Sequence, residues 1–238
     1  MSPTFAFDSS SQRFRYTSGA RNGEYVSQAK IKDIVDREYI RSQKAVLGAI
    51  GDRLISGELE LADWEVEVSQ ALKTLHINSY TLGKGGIERL TPRDYGTIGA
   101  KVKREYAYLR NFTNDVATGE MSIAQFQNRL SMYADTAFST YQQARVISHR
   151  SDGFEWYRNI RNASESCSEC ISISAQGWQQ VGTLVAIGAR KCKGGDRCNW
   201  EFAKGDKPEE TNRFITDFYA GWIGGLALEQ EEEREPIS

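Results

Sequence analysis

A chain of 238 residues with 39% hydrophobic and 26% charged side chains carries enough apolar material to bury a sizeable core. Its formal net charge of -2 gives no global field that would draw in nucleic acid or an anionic membrane surface. No apolar run reaches the roughly 18 residues of a transmembrane helix, and residues 1–16 lack the continuous hydrophobic stretch of a secretory signal, so synthesis in the cytosol, where thiols stay reduced, is expected.

Residues 1–25 are rich in Ser, Arg and Gly without periodicity and read as an extended or flexible arm. A helical domain is expected over 26–150. Ile31, Ile34, Val35, Tyr39, Val46, Ile50 and Leu54 recur at three- and four-residue intervals, and Gly57 is placed to end that helix. A second helix gathers Leu61, Trp64, Val68, Leu72 and Leu75 on one face and ends before Leu82-Gly83-Lys84-Gly85-Gly86. Thr91-Pro92-Arg93-Asp94 announces a third: Thr91 caps, Pro92 suits the first turn and Asp94 completes a capping box. Its apolar face is Ile98, Val102, Tyr106, Leu109, Phe112 and Val116. Ser122-Ile123-Ala124-Gln125 opens a fourth helix with a second box, carrying Phe126, Leu130, Ala134, Ala137, Phe138 and Tyr141. Four helices with short connections predict a bundle, or a pair of hairpins.

A weak internal repeat supports the hairpins. Ser56-Gly57-Glu58-Leu59 before Leu61 and Trp64 resembles Thr118-Gly119-Glu120-Met121 before Ile123 and Phe126, at an offset of 62 that also maps Val68 onto Leu130 and Leu72 onto Ala134. Beyond about residue 150 the helical period fades and glycines punctuate the chain. Ile171-Ser172-Ile173-Ser174 and Thr183-Leu184-Val185-Ala186-Ile187 read as short strands, and Trp156, Trp178, Trp200 and Trp222 as the core of a small α+β module over 151–228. Residues 229–238 form an acidic tail that reads as solvated.

The chemistry concentrates in four cysteines: Cys167, Cys170, Cys192 and Cys198, with none in the first 166 residues. Their spacing is C-x2-C-x21-C-x5-C; the first pair matches metal-ligand spacing, and four thiolates suit tetrahedral zinc while leaving no open position for catalysis. A structural zinc staple, one or two disulfides, and free thiols all remain open. A cysteine nucleophile needs a base, and the only histidines are His76, read as a capping or packing residue, and His149, read as a surface residue near a helix end. Leu82 to Gly86 lacks the G-x4-G-K-[ST] spacing of a phosphate loop and reads as a turn. Glu58, Glu60, Glu65 and Glu67 read as exposed helix or turn residues. Residues 190–207 hold six basic side chains against three acidic ones, read as solvated charge that can brush a nucleic-acid backbone.

The stretch from Asn159 to Cys198 resembles the minor head proteins of tailed bacteriophages, the Mu F-like or head-morphogenesis group. The resemblance lies in Cys167-Ser168-Glu169-Cys170, Gly177-Trp178, Val181-Gly182-Thr183-Leu184, Ile187-Gly188, and Cys192 followed by Arg197-Cys198. The Gly-Glu-[LM] junctions and the aromatic-rich helix from Ala134 to Val146 are similar in character. Cys192 and Cys198 stand further apart than is usual in that group, and the acidic tail has no counterpart there. The resemblance implies a non-enzymatic virion component near the portal or inner capsid wall, made in the host cytoplasm and acting in head assembly, DNA packaging or ejection. Implied partners are the portal or major capsid protein and, non-specifically, packaged DNA, with no membrane and no small-molecule substrate. The alternatives are a zinc-stabilised nucleic-acid-binding module on a helical scaffold, and another phage part such as a connector or cement protein.

Overall fold

Helix signals in the sequence translate into helices with little displacement. The computed structural model describes residues 5–8, 11, 13–119, 121–161 and 166–209. Among them, helix α1 (Gln28–Asp33) passes through a π-helical turn (Ile34–Tyr39) into α2 (Ile40–Ile55), followed by α3 (Leu61–Lys84), α4 (Pro92–Ala117) and α5 (Ile123–Ser151). Both expected capping boxes are present: the Thr91 and Ser122 hydroxyls accept from the Asp94 and Gln125 amides, and those side chains return the bond. Gly57 and Gly119 adopt left-handed φ of 77° and 71° at the two hairpin junctions. α2 and α4 end at Ile55 and Ala117, and α3 and α5 begin at Leu61 and Ile123, 62 residues apart in each case. The repeat is therefore carried in the element boundaries.

Packing follows the apolar faces. Trp64, Val68, Leu72, Leu75, Leu109, Phe112, Phe126, Leu130 and Phe138 are buried in one cluster. The repeat-related Trp64 and Phe126 meet with ring centroids 5.6 Å apart, and Phe112 sits edge-on to Trp64 at 5.4 Å. α3 lies closest to α5, where Gly83 touches the α5 backbone: a Cβ there would stand 2.3 Å from the Tyr141 carbonyl oxygen. The Leu82-to-Gly86 turn read from sequence begins later than expected, because α3 continues through Gly83 and Lys84 before Gly85 caps it at φ 96°. Lys84 is buried and pairs with Asp94 at 3.2 Å.

Residues 5–8 and 13–16, inside the stretch read as an arm, pair as antiparallel strands β1 (Phe5–Asp8) and β2 (Arg13–Tyr16). Phe14, Tyr16 and Val26 join the main core. The alternating aromatic residues of β2 (Phe14, Tyr16) are a period-two signal that a composition reading passes over.

After α5 the module has α+β character, but the strands lie elsewhere than expected. Strand β3 (Trp156–Ile160) pairs antiparallel with both β4 (Gln179–Gln180) and β5 (Asn199–Ala203), in the order β4-β3-β5. The expected strand at Ile171 to Ser174 is instead helix α6 (Ser168–Ala175), and Thr183 to Ile187 is irregular and joins no sheet. Alternation of Ile and Ser mimicked a strand, but the two isoleucines separate into buried Ile173 and exposed Ile171 on a short helix. Trp178 and Trp200 are buried; Trp222 and the tail from 229 lie outside the described residues. Every named element falls in one compact unit that runs to Gly205, and bundle and module share its core. No helix among the described residues is long and apolar enough to cross a membrane.

Two predictions concern the bundle. Trp64→Ala or Phe126→Ala is expected to cost about 3–5 kcal/mol in chemical denaturation; a loss below ~1 kcal/mol would show that these rings do not anchor the core. Asp94 is the second test site. Burial disfavours its charge, but hydrogen bonds from Tyr80, Thr91 and Lys84 outweigh that and pull its pKa from 3.8 down to about 2. Its contribution is thus complete above the ordinary carboxylate pKa and is lost as pH falls toward about 2. Asp94→Ala removes a cap and strands the buried Lys84 charge, an expected loss of ~3 kcal/mol. Asp94→Asn should flatten the acid limb of the stability profile; an unchanged limb would remove Asp94 from the account.

Candidate metal centre

The four cysteines come together from three local structures. Cys167 is the residue before α6 and Cys170 lies in its first turn, so the two-residue spacer folds both sulfurs to one side. Cys192 precedes a short 3-10 turn (Lys193–Gly195), and Cys198 stands immediately before β5. The Cys192 and Cys167 Sγ atoms are 2.9 Å apart, and those of Cys170 and Cys192 3.7 Å. A disulfide needs about 2.05 Å, and all four thiols are free. Sulfurs on a tetrahedral zinc, at about 2.3 Å from the metal, stand roughly 3.8 Å from one another.

Two overlapping ligand groups share Cys170: Cys167, Cys170 and Cys192, and Cys170, Asp196 and Cys198, with ligand atoms inside each group within 4.8 Å of one another. The cysteine cluster can therefore hold a metal ion. Asp196 is the acidic neighbour that cysteine spacing does not reveal. It is buried; its Oδ1 accepts from the Cys198 amide at 3.1 Å and its Oδ2 faces the Arg190 guanidinium at 3.6 Å.

Arg190 is the other residue hidden from spacing. Its side chain is wholly buried, donates to Asn159 Oδ1 (2.9 Å) and the Val185 carbonyl (3.1 Å), lies over the Trp200 ring, and points Nη1 at Cys170 Sγ from 3.9 Å. Arg190 Nη2 and Asn159 Nδ2 are buried donors that find no acceptor among the described residues. Unsatisfied buried donors are costly. Four thiolates around a divalent metal carry net negative charge, and such a group beside these donors suits them better than neutral thiols. On this count the residues present fit a metal.

The thiols divide electrostatically. A hydrogen bond from Cys192, then the nearby Cys170 and Glu169 amides, favours the Cys167 thiolate and lowers its pKa. The reciprocal bond to Cys167 together with burial raises Cys192 to about 12, while burial and the Asp196 carboxylate raise Cys198 to about 12. With neutral thiols, one sulfur thus acts as acceptor and its neighbours keep their protons. A bound cation reverses that preference by favouring every thiolate.

Neither histidine joins a cysteine group among the described residues. His76 has the packing role expected of it: it is fully buried, bonds Thr140 Oγ1 at 2.9 Å, and burial lowers its pKa to about 3. His149 corrects the surface expectation. It stacks on Phe202 of β5 with centroids 3.9 Å apart and a tilt of 15°, and burial lowers its pKa to about 4. That stack, with Gln142 and Arg145 bonding Asn199, holds the sheet against α5. Glu67 pairs with Arg53 on the surface, and Lys84 is committed to Asp94, so the Gly-Lys-Gly turn carries no phosphate loop. No family model, no curated protein and no solved structure matches this chain.

Arg190→Gln is expected to lower the cluster's metal affinity by about 10–100-fold, measured by competition with a chromophoric chelator. Arg190→Lys, which keeps the charge, should recover part of the loss. Equal affinity in all three proteins would reduce Arg190 to packing.

Proposed function

We propose that this chain is a structural component of a tailed-phage head, of the minor head protein kind, whose module is held by one zinc on Cys167, Cys170, Cys192 and Cys198. The observation that carries the reading is the convergence of the four cysteines in a module packed on the middle of the bundle's last helix, within the same Asn159-to-Cys198 stretch that bears the resemblance. Two helical hairpins leading into that module agree with the same family character. The role assigned is assembly, packaging or ejection near the portal, with portal or major capsid protein as partner, in host cytoplasm and then in the virion. No catalytic activity is assigned: four thiolates fill a tetrahedron, and neither histidine stands among them.

A zinc-stabilised nucleic-acid-binding module is the second reading, favoured by the basic stretch 190–207. Two of its six cations are spent internally, since Arg190 faces Asp196 and Arg197 pairs with Asp135 at 2.8 Å. Tight, sequence-selective DNA binding at physiological salt is therefore not expected, and residual binding should fall steeply with added salt.

Two measurements test the proposal. Quantitative mass spectrometry of purified phage particles should find the chain at a few copies per head and absent from free tails; its absence from intact particles would falsify the virion assignment. Native mass spectrometry should find one zinc that a chelator removes, loosening residues 166–205 while α3 to α5 keep their helicity. A mass short by two or four hydrogens replaces zinc with disulfides.

A further inference from the structure

A groove of about 790 Å³ runs between α4, α5 and the 188–195 segment of the cysteine module. From α4 it takes Lys101, Arg104, Glu105 and Tyr108, whose spacing of three, four and seven residues sets them on one stripe of the helix. Lys193 reaches it from the module. Gly188 fixes that wall: it has φ 87°, and a Cβ there would stand 2.4 Å from the Ser139 Cβ on α5, so the loop lies directly against the helix.

The lining charges do not cancel. Arg129 is paired with Asp115, Asp135 is shared by Lys44 and Arg197, and Arg190 faces Asp196. That leaves Lys101, Arg104 and Lys193 against Glu105, an excess of two positive charges. Arg104 and Lys193 are exposed and have no ion pair among the described residues. Lys101 is half-buried and, among the described residues, its ammonium bonds only the neutral Ser139 hydroxyl, at 2.9 Å. Burial lowers the Lys101 pKa; Glu105 opposes that shift and the Arg104 charge adds to it, so an anion beside these cations relieves their repulsion. Lys193 holds a left-handed φ of 47°, rare for a residue with a side chain and the sort of local strain found at binding sites. At the rim, Tyr108 and Met132 are 54% and 56% exposed, an aromatic and a thioether face open to solvent beside the cations.

We propose that this groove binds a nucleotide unit, free or within a single strand, with its phosphate at Lys101, Arg104 and Lys193 and its base against Tyr108. Two surplus positive charges match a phosphate group, and an exposed aromatic face next to them supplies the stacking platform that a bare inorganic anion or an acidic side chain would not use. The inference goes beyond the head-protein reading and stands or falls separately from particle incorporation.

The test uses the full chain at low salt, with fluorescein-labelled dT20 followed by anisotropy and ADP followed by calorimetry. Arg104→Ala/Lys193→Ala should bind about tenfold more weakly, and for dT20 should lower the salt slope by roughly 0.7, the value for the one phosphate these cations share. Tyr108→Ala should weaken binding about tenfold with the slope unchanged. All three substituted positions are exposed, and Lys73→Ala, outside the groove, should bind as the parent does. Saturation by ADP alone identifies a free nucleotide, and binding of dT20 identifies a strand. No binding of either probe, or a double variant that binds as well as the parent, overturns the proposal. Full binding by Tyr108→Ala overturns the nucleotide assignment and leaves only a phosphate site.

Discussion

The close passage of α3 across α5 sets the geometry that the other elements follow. Two helix backbones approach this closely only where one offers no side chain, and Gly83 meets the Tyr141 carbonyl and the Ala144 methyl where any larger residue would collide. With that spacing fixed, His76 reaches Thr140 and the Ser148 hydroxyl reaches the Lys84 carbonyl at 3.2 Å. Lys84 is then held where Asp94, the capping-box partner of Thr91 in the first turn of α4, can neutralise it. One glycine contact thus positions α3, α5 and the start of α4 together. The other side of α5 carries the module, through Ser139 against Gly188 and through Gln142 and Arg145 against Asn199.

Two buried guanidinium groups show how the module is held and where its chemistry lies. Arg145 has no carboxylate partner among the described residues; it bonds Gln142, Asn199 and the Trp200 carbonyl and lies over the Tyr141 and Phe202 rings. Burial lowers its pKa, as expected for a charge surrounded by neutral acceptors. Such an arrangement contributes little net stability but penalises any other docking of the sheet, because a shifted register leaves the charge without acceptors. Arg190 differs in one respect. It has Asp196 as a partner yet retains an unsatisfied Nη2, while its Nη1 lies 3.9 Å from Cys170 Sγ. The surplus donor capacity lies where metal-bound thiolates would place negative charge.

How far the sequence foretold this architecture depends on the range of the signal. Capping boxes, left-handed glycines and apolar periodicity are local, and α3, α4 and α5 begin within a residue of where Glu60-Leu61, Thr91-Pro92 and Ser122-Ile123 place them. Local alternation misled at Ile171 to Ser174, since an N-terminal turn fixed by Cys167 and Cys170 overrides the weak strand preference of four residues. The cysteines were legible as candidate ligands by residue type. Asp196, Asn159 and Arg190 were not, because their roles arise from pairing β3 with β5 and from folding the 188–196 loop back over Cys170, neither of which has a sequence period. The groove was half legible: the stripe Lys101, Arg104, Glu105, Tyr108 is helical spacing, but its far wall is supplied by a segment some ninety residues later.

That far wall joins the two candidate sites physically. The segment from Gly188 to Asp196 supplies Cys192 and Asp196 to the ligand groups, and on its other side presents Lys193 to the groove. It contains no strand and one 3-10 turn, so its order comes from what grips it: Gly188 against Ser139, Arg190 in its buried pocket, and the Lys191 amide bonded to Glu169 at 2.7 Å. A short segment held at three points has little freedom to rearrange one face while keeping the other. Metal coordination at Cys192 would add a fourth grip between Arg190 and Lys193. Metal coordination at the cysteines would therefore also fix the Lys193 charge relative to Arg104, and would lower the entropy cost of ordering the groove.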